Sequence, residues 1–179
     1  MREHPIDVIV DKFQEAVVHV LEHRSGGELI LEAVDAADAL RQLGYGQGNE
    51  AEMVSACTGL EGHGMRCALT VIARISTTKT LAPLATNELD WMGELANLLL
   101  GSMKNKLIAY GMNPVLGLPS TTAGLDLKFL TDVSDHVVVL AITTAGPVVV
   151  ALNFELGPAE IWEFDRRLAP ADQGVVCYF

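Results

Sequence analysis

Apolar residues recur every three or four positions in two long segments of the chain, a spacing that predicts amphipathic helices. The first segment spans residues 6–22, and the glycines at positions 26 and 27 supply a helix stop. The second segment spans about residues 88–110 and is stopped by Gly111. The apolar positions of the first segment are Ile6, Ile9, Val10, Phe13, Val17, Val20 and Leu21. Each helix therefore offers one face to a core and one to solvent.

Two pairs of shorter segments alternate loosely between apolar and polar residues and are rich in Val, Ile and Thr, as half-buried strands are. Residues 52–60 and 65–75 form the first pair, and residues 135–143 and 148–155 form the second. Within each pair the two segments are joined by four residues that include glycine. The pattern therefore predicts two antiparallel hairpins.

The remaining segments carry weaker patterns. Residues 36–43 predict a short helix with Gly44 as its left-handed cap, and residues 44–49 read as a glycine-rich loop. Residues 76–87, with several threonines and a proline, predict irregular chain. Pro158 favours the first turn of a further short helix.

Together these elements predict an α/β fold, in which an antiparallel sheet is covered by the long helix and the N-terminal helix. We expect residues 1–179 to form a single domain, because one hydrophobic core serves roughly 100–200 residues. Half of the residues are hydrophobic and the mean hydropathy is +0.30, which excludes a disordered chain.

The charge balance narrows the classes of partner. The chain has 12 Lys and Arg against 23 Asp and Glu, a formal net charge of −11. We expect no nucleic-acid partner and no membrane partner, since both require clustered cations. The longest apolar run, at 137–154, is interrupted by Thr, Gly and Pro and predicts two strands rather than a membrane span. With no signal-peptide pattern, the expected location is cytoplasmic, and Cys57, Cys67 and Cys177 are expected to be reduced core thiols.

One side of the long helix carries polar residues opposite its apolar face. At about 100° per residue, Asp90, Glu94, Asn97, Gly101 and Lys104 share an arc of about 80°. Any surface helix has a polar stripe, and Asp90 also suits the first turn, where acids favour the helix N-terminus. Gly101 is not explained in this way, because glycine inside a helix costs about 0.5–1 kcal/mol relative to alanine. It leaves the face low enough for another protein's backbone to come close.

This segment resembles the signature helix of the CheC and CheX chemotaxis phosphatases. The pattern of that family is Asp or Ser, three residues, Glu, two residues and Asn, with a proline farther along the chain. Asp90, Glu94 and Asn97 fit this spacing, and Pro119 follows Asn97 after 21 intervening residues. The resemblance covers about residues 51–155 and, more weakly, the first helix.

The resemblance implies a phosphatase that hydrolyses the aspartyl phosphate of a CheY-type response regulator, in chemotaxis or two-component signalling. It implies that Asn97 orients the attacking water and that Glu94 pairs with the regulator's lysine, with Asp90, Gly101 and Pro119 in support. Since an acyl phosphate is already activated, positioning a water in line is the main contribution left to the enzyme. The regulator would bring Mg²⁺, so we expect no metal site and no cofactor site on this chain. A homodimer is expected from the resemblance alone.

Some features depart from the pattern of the family. CheC-type members carry two copies of the motif. Here Asp11 and Glu15 have the right spacing on the first helix, but Val18 stands where Asn would be needed. A single-site, CheX-like protein is therefore the better match. Residues 28–50 and 156–179 have no counterpart and are treated as possible elaborations.

Other functions stay open at this point. Residues 76–87 look shorter and more irregular than the helix expected there, which leaves room for a non-catalytic module that binds a regulator or acts like the flagellar-switch proteins. A small-molecule-binding domain using the loop at 44–49 is a further alternative. His19 and His23 lie at i, i+4 but lack a nearby third ligand, so they predict no zinc site. The apolar tail at 175–179 needs a cover from its own sheet or from a partner.

Overall fold

The structure of the chain, a computed structural model, consists of one main antiparallel sheet with two long helices packed on it. It describes residues 2–45, 52–62, 64–82, 84–85, 87–125, 127, 135–157 and 162–169. The helices are α1 (Pro5–Ser25), α2 (Ala36–Gln42), α3 (Ile75–Leu81) and α4 (Glu88–Leu107), the last continued by a 3-10 turn at Ile108–Tyr110. The strands are β1 (Arg2–Glu3), β2 (Ile30–Ala33), β3 (Met53–Gly62), β4 (Met65–Arg74), β5 (Val115–Leu116), β6 (Ser120–Gly124), β7 (Asp135–Thr143), β8 (Gly146–Leu156) and β9 (Trp162–Glu163).

The main sheet has the strand order β2-β7-β8-β4-β3-β5. Strand β6 shares the edge of β3 with β5: β5 pairs with Leu60 and Glu61, and β6 pairs with residues 53–57. A small separate ladder joins β1 to β9. Every strand pair in the described part of the chain is antiparallel. The predicted α/β fold with an antiparallel sheet is confirmed.

The two faces of the sheet have different covers, because side chains alternate along each strand. Helices α1 and α4 pack on one face and bury the larger hydrophobic cluster, while α2 covers part of the other face over a smaller cluster. The larger cluster includes Phe13, Val17, Leu21, Val54, Leu69, Met92, Leu95, Leu99, Met103, Val150 and Leu152. The smaller one consists of Ala39, Leu43, Met53, Ile72, Val138, Leu140, Val149 and Ala151. The described part of the region at 28–50 therefore supplies both edge strand β2 and the helix that covers this second cluster.

The two long helices begin and end at residues suited to those positions. Gly26 adopts φ +62° after α1, and its N–H donates to the Glu22 carbonyl at 3.2 Å. At the start of α4 the side chain of Asn87 accepts a hydrogen bond from the Leu89 N–H at 2.9 Å. Gly111, with φ +74°, ends the 3-10 turn that follows α4. The predicted extents of both helices are confirmed.

The segment at 76–87 differs from the prediction of irregular chain, which is wrong for its first half. Helix α3 (Ile75–Leu81) forms there, and the hydroxyls of Thr78 and Thr80 donate to the carbonyls four residues earlier at 3.2 and 3.1 Å. Thr77 is buried, as are Thr78 and the last residue of the helix. Tertiary packing thus outweighs the reduced helix propensity of β-branched residues.

The connection between β7 and β8 is tighter than the predicted four residues at 144–147. Only Thr144 and Ala145 lie in the turn, and Thr143 pairs with Gly146. The Thr143 hydroxyl donates to the Gly146 carbonyl at 2.8 Å and accepts from the Ala145 N–H at 3.2 Å. This side chain closes the turn early and allows the strands to continue pairing.

The two described cysteines differ from each other. Cys67 is buried among apolar side chains, and burial raises the pKa of its thiol to about 12. Cys57 is exposed on the other side of β3, so the prediction of a core thiol holds for Cys67 and is wrong for Cys57. Cys67 is paired with Leu60 in the ladder, and Leu60 lies three positions from Cys57 on β3, so the two cysteines face opposite sides of the sheet.

Several predicted features lie outside the described residues. These are the third cysteine, Cys177, the apolar tail at 175–179, the helix starting at Pro158 and positions 46–49 of the glycine-rich loop. In the described ranges, no helix combines the length and the apolar composition needed to cross a bilayer.

Truncating two adjacent leucines tests which face of α4 is buried. Leu99 is 1% exposed, whereas its neighbour Leu98 is half-buried. Leu99→Ala should lower the free energy of unfolding by about 2–5 kcal/mol because it leaves a cavity in the core. Leu98→Ala, the matched control, should cost at most about 1 kcal/mol. Urea denaturation of both variants measures the two values, and equal losses would contradict this placement of the helix.

Candidate functional site

The five polar-stripe residues of α4 lie together on its solvent side. Asp90 and Glu94 are exposed, and Asn97, Gly101 and Lys104 are half-exposed. The opposite face is buried against α1 and the sheet, through Met92, Leu95, Ala96, Leu99, Met103 and Leu107. Packing of the apolar face therefore fixes which side of the helix a partner can reach. The functional roles assigned to the stripe stay predictions.

On one flank the stripe meets the end of α1. Arg24 Nη2 lies 3.0 Å from Glu94 Oε1, with 34% and 52% of the two side chains exposed. Arg24 is not among the site residues predicted from the sequence, and it lies 70 residues away from Glu94 in the chain. A cation in the last turn of a helix is favoured by the helix dipole alone. The presence of Arg24 at that position therefore gave no indication that it pairs with Glu94.

On the other flank the stripe meets the segment between β5 and β6. A Cβ at Gly93 would lie 3.2 Å from Thr121 Cγ2, which is closer than ordinary packing, and 3.5 Å from Pro119 Cγ, which is an ordinary contact distance. Gly93 therefore allows this segment to sit directly on α4. Pro119 lies against α4 at Gly93, which is one turn before Asn97. The sequence signal for Gly93 was a second glycine inside a predicted helix.

Gly101 has a different environment. A Cβ at this position would lie 3.9 Å from Leu116 Cδ1, an ordinary van der Waals distance. Its φ angle is not in the left-handed region, unlike that of Gly111. Packing in the described chain therefore does not require glycine at position 101.

A cleft of about 440 Å³ opens beside Glu94, between the end of α1 and the connection from α3 to α4. Its charged lining is Arg24, Asp90 and Glu94. Its apolar lining is Leu81, Ala82, Leu84, Ala85 and Trp91. A larger cleft, of about 740 Å³, lies over strands β3, β4, β5 and β8 and is lined by residues outside the stripe. The smaller cleft is thus the one lined by the stripe residues Asp90 and Glu94 of α4.

The partial motif on α1 is engaged in ion pairs. Lys12 Nζ lies 2.7 Å from Asp11 Oδ2 and 2.6 Å from Glu15 Oε1, and Lys106 Nζ lies 2.8 Å from Glu15 Oε2. Burial raises the pKa of Glu15, but the hydrogen bonds from Lys106 and Lys12 outweigh it, and the net pKa is lowered. Glu15 therefore links α1 to Lys106 of α4, whereas Asp11 pairs with Lys12 of its own helix. Val18 is half-buried. This geometry agrees with a single site.

The chemistry available at the stripe is limited to a carboxylate and an amide. Glu94 can accept hydrogen bonds from a cation, and the Asn97 amide can accept through its oxygen and donate through its nitrogen. Among the described residues, His, Cys, Asp and Glu do not gather in any group of three that could hold a metal ion. Both side chains project from the convex surface of a helix, on its solvent side.

Comparison with protein-family models gives no match, and neither does comparison with curated proteins. Solved structures do match. A crystal structure of a CheC-like superfamily protein from Shewanella sp. PV-4 aligns with a TM-score of 0.65 and 17% identity, covering 83% of this chain and 97% of that one. The chemotaxis protein CheX from Vibrio vulnificus aligns with a TM-score of 0.63 and 16% identity, covering 82% and 96%.

A third similar structure is a CheX–CheY–BeF3–Mg²⁺ complex from Borrelia burgdorferi, with a TM-score of 0.60 and 16% identity over 82% of this chain and 97% of that one. At such identities the likeness concerns the fold. The resemblance inferred from the helix motif is confirmed at that level: the chain has the CheC-like fold of the CheX chemotaxis proteins.

Proposed function

We propose that the chain is a CheX-like phosphatase that hydrolyses the aspartyl phosphate of a CheY-type response regulator in chemotaxis or two-component signalling. The observation that carries this proposal is the exposed Glu94–Asn97 pair on the convex face of α4 in a CheC-like fold. The similar CheX from Borrelia burgdorferi is known in a complex with CheY, BeF3 and Mg²⁺, which supports a receiver domain as the partner here.

Asn97 acts on the attacking water. Its amide oxygen accepts a hydrogen bond from the water and holds it in line with the bond that joins phosphorus to the aspartyl oxygen. The water oxygen bonds to phosphorus as that bond breaks, and the aspartyl carboxylate leaves. One water proton stays on the released inorganic phosphate, and the other passes to a phosphate oxygen or to solvent. Mg²⁺ held by the regulator neutralises the phosphoryl oxygens. The amide therefore contributes positioning, which can supply several kcal/mol of the barrier reduction.

Glu94 acts on the regulator rather than on the water. In the free chain Arg24 contacts its Oε1, so a lysine of the regulator either shares the carboxylate through Oε2 or displaces the guanidinium. The Arg24–Glu94 pair is partly exposed, and such pairs contribute about 0–1 kcal/mol, which makes the exchange inexpensive. The carboxylate is thus held near its working position before the regulator arrives.

Gly101 acts through its lack of a side chain. Since packing in the described chain does not need glycine there, the proposed reason for it is close approach of the regulator's backbone to α4. Glycine at this position destabilises the helix by about 0.5–1 kcal/mol relative to alanine.

A non-catalytic regulator-binding module is the second candidate. The pairing of Glu94 with Arg24 in the free chain agrees with it as well, because a carboxylate held in place serves docking whether or not phosphate is hydrolysed. In that case the regulator binds without faster loss of phosphate. We expect a homodimer under either function, and its mass can be read from sedimentation.

Asn97→Ala should reduce the dephosphorylation rate of a phosphorylated receiver domain by at least about 100-fold, because the water is no longer oriented. Phosphate release is measured on receiver domains of the host organism, phosphorylated by a small-molecule phosphodonor. Asn105→Ala makes the same change at an exposed position two turns farther along α4 and should retain the wild-type rate. If the wild-type protein does not speed up the loss of phosphate from any of these receiver domains, the phosphatase proposal is contradicted.

Glu94→Gln should raise KM for the phosphorylated receiver by about tenfold or more while kcat changes little, because a charge-assisted hydrogen bond to the regulator's lysine is lost. The salt dependence of KM should become shallower than in the wild type. Asp90→Asn, on the same face, should have the smaller effect of a supporting residue. Steady-state kinetics at two ionic strengths measure both variants, and an unchanged KM for Glu94→Gln would contradict the docking role.

Gly101→Ala separates stability from binding. It should raise the free energy of unfolding by about 0.5–1 kcal/mol, since alanine favours the helix and the methyl group fits against Leu116. It should also raise KM for the phosphorylated receiver, because the methyl group blocks the close approach. Ser102→Ala, the neighbouring change, should leave KM unaltered. A stabilised Gly101→Ala protein with wild-type KM would show that the backbone does not approach there.

A further inference from the structure

Two leucines beside the stripe are almost completely exposed. Leu84 is 95% exposed and Leu118 is 93% exposed, whereas the next large apolar side chain in the described residues, Val115, reaches 71%. A single exposed leucine needs no explanation, but two that adjoin the same polar stripe mark a candidate interaction surface.

Leu84 lies in the connection from α3 to α4. It lines the cleft of about 440 Å³ together with Trp91, Glu94 and Arg24. Trp91 is 8% exposed and supplies a firm apolar floor. An apolar side chain entering this cleft would therefore contact Leu84 and Trp91 while its neighbours meet the charges of Glu94 and Asp90.

Leu118 lies in the segment between β5 and β6, immediately before the proline that packs on Gly93. Two hydrogen bonds hold the backbone of this segment at Gly117, one through its N–H and one through its carbonyl. The Gly117 N–H donates to the Gly59 carbonyl at 2.8 Å, and the Thr58 hydroxyl donates to the Gly117 carbonyl at 3.2 Å. Leu118 is thus presented by an anchored backbone, so little backbone entropy is lost when a partner covers it.

The two leucines bracket the stripe. Leu84 lines the same cleft as Trp91, and Leu118 immediately precedes Pro119, which lies against Gly93. Trp91 and Gly93 point about 160° apart on α4 at 100° per residue. The exposed arc that carries Glu94 and Asn97 lies between them. A helix with its side chains is about 10–12 Å across, so a partner seated on the stripe reaches both flanks.

Interface size gives the reason why the flanks must be used. A stable protein–protein interface takes about 20–30 residues and about 800 Å² from each partner, and five residues on one helix face supply only a fraction of that. A stable interface also needs an apolar part, because exposed charge pairs contribute little affinity. Among the described residues, Leu84 and Leu118 are the most exposed large apolar side chains.

We propose that Leu84 and Leu118 are docking residues for the same receiver domain that presents its phosphoaspartate to Asn97. This inference rests on the proposed function and deepens it. The partner it fits is a receiver surface with a basic group for Glu94 at its centre and an apolar side chain on each side, one entering the Leu84 cleft and one covering Leu118. The two leucines supply affinity and the choice of regulator, while the amide supplies the chemistry.

The test measures binding separately from turnover. The probe is a receiver domain loaded with BeF3⁻ and Mg²⁺, which carries no phosphate to hydrolyse. Leu84→Ser and Leu118→Ser should each raise its Kd by about tenfold, since each removes the burial of a leucine side chain. With the phosphorylated receiver, KM should rise in parallel and kcat at saturation should stay at the wild-type value. Leu168→Ser, the same change at a leucine that is 46% exposed in the segment after β9, should alter neither quantity.

The outcomes separate the two proposals. Unchanged Kd in both serine variants, with the wild type binding the receiver, overturns the docking inference and leaves the phosphatase proposal standing. Raised Kd in both variants without any turnover by the wild type supports the docking inference and overturns the phosphatase. Sedimentation gives a further outcome: self-association lost in Leu118→Ser while receiver binding is kept would assign that leucine to a second copy of this chain and overturn its docking role.

Discussion

The packing of the apolar face of α4 against β3 and α1 is the interaction on which the candidate site depends. Leu95 and Leu99 are about 1% exposed, and Met92 and Met103 are fully buried, so the helix cannot rotate about its axis without exposing several of them. Each such side chain contributes about 1.5–3 kcal/mol when it is buried. This packing holds the opposite face, with Glu94 and Asn97, toward solvent.

A site on a convex helix limits the chemistry that the chain can perform alone. The stripe offers a carboxylate, an amide and a glycine, and the described residues around it form no cluster of metal ligands. Under the proposed function, the other protein brings the activated bond and the metal ion. The net charge of −11 is compatible with a partner that presents a lysine, although the local pairing of Arg24 with Glu94 has more influence on that contact than the overall charge.

Prediction from the sequence succeeded where local signals agreed with each other. The long helices had regular apolar spacing and glycine stops, and the strands of the two hairpins had alternating β-branched residues, so their positions were predicted closely. It failed for α3, where threonines disfavour a helix locally but Thr77 and Thr78 are buried by the rest of the fold. It also failed for Cys57, because the face of a central strand that is covered depends on where α2 packs.

The sequence by itself determined the composition of the stripe: Asp90, Glu94, Asn97 and Gly101 share one face because the helical repeat is a property of the local backbone. The tertiary structure decided what surrounds them. Arg24 comes from α1, 70 residues earlier, and Pro119 reaches the helix only because Gly93 leaves room for it. Contacts between distant segments follow from the packing of the sheet and helices, and helical periodicity carries no information about them.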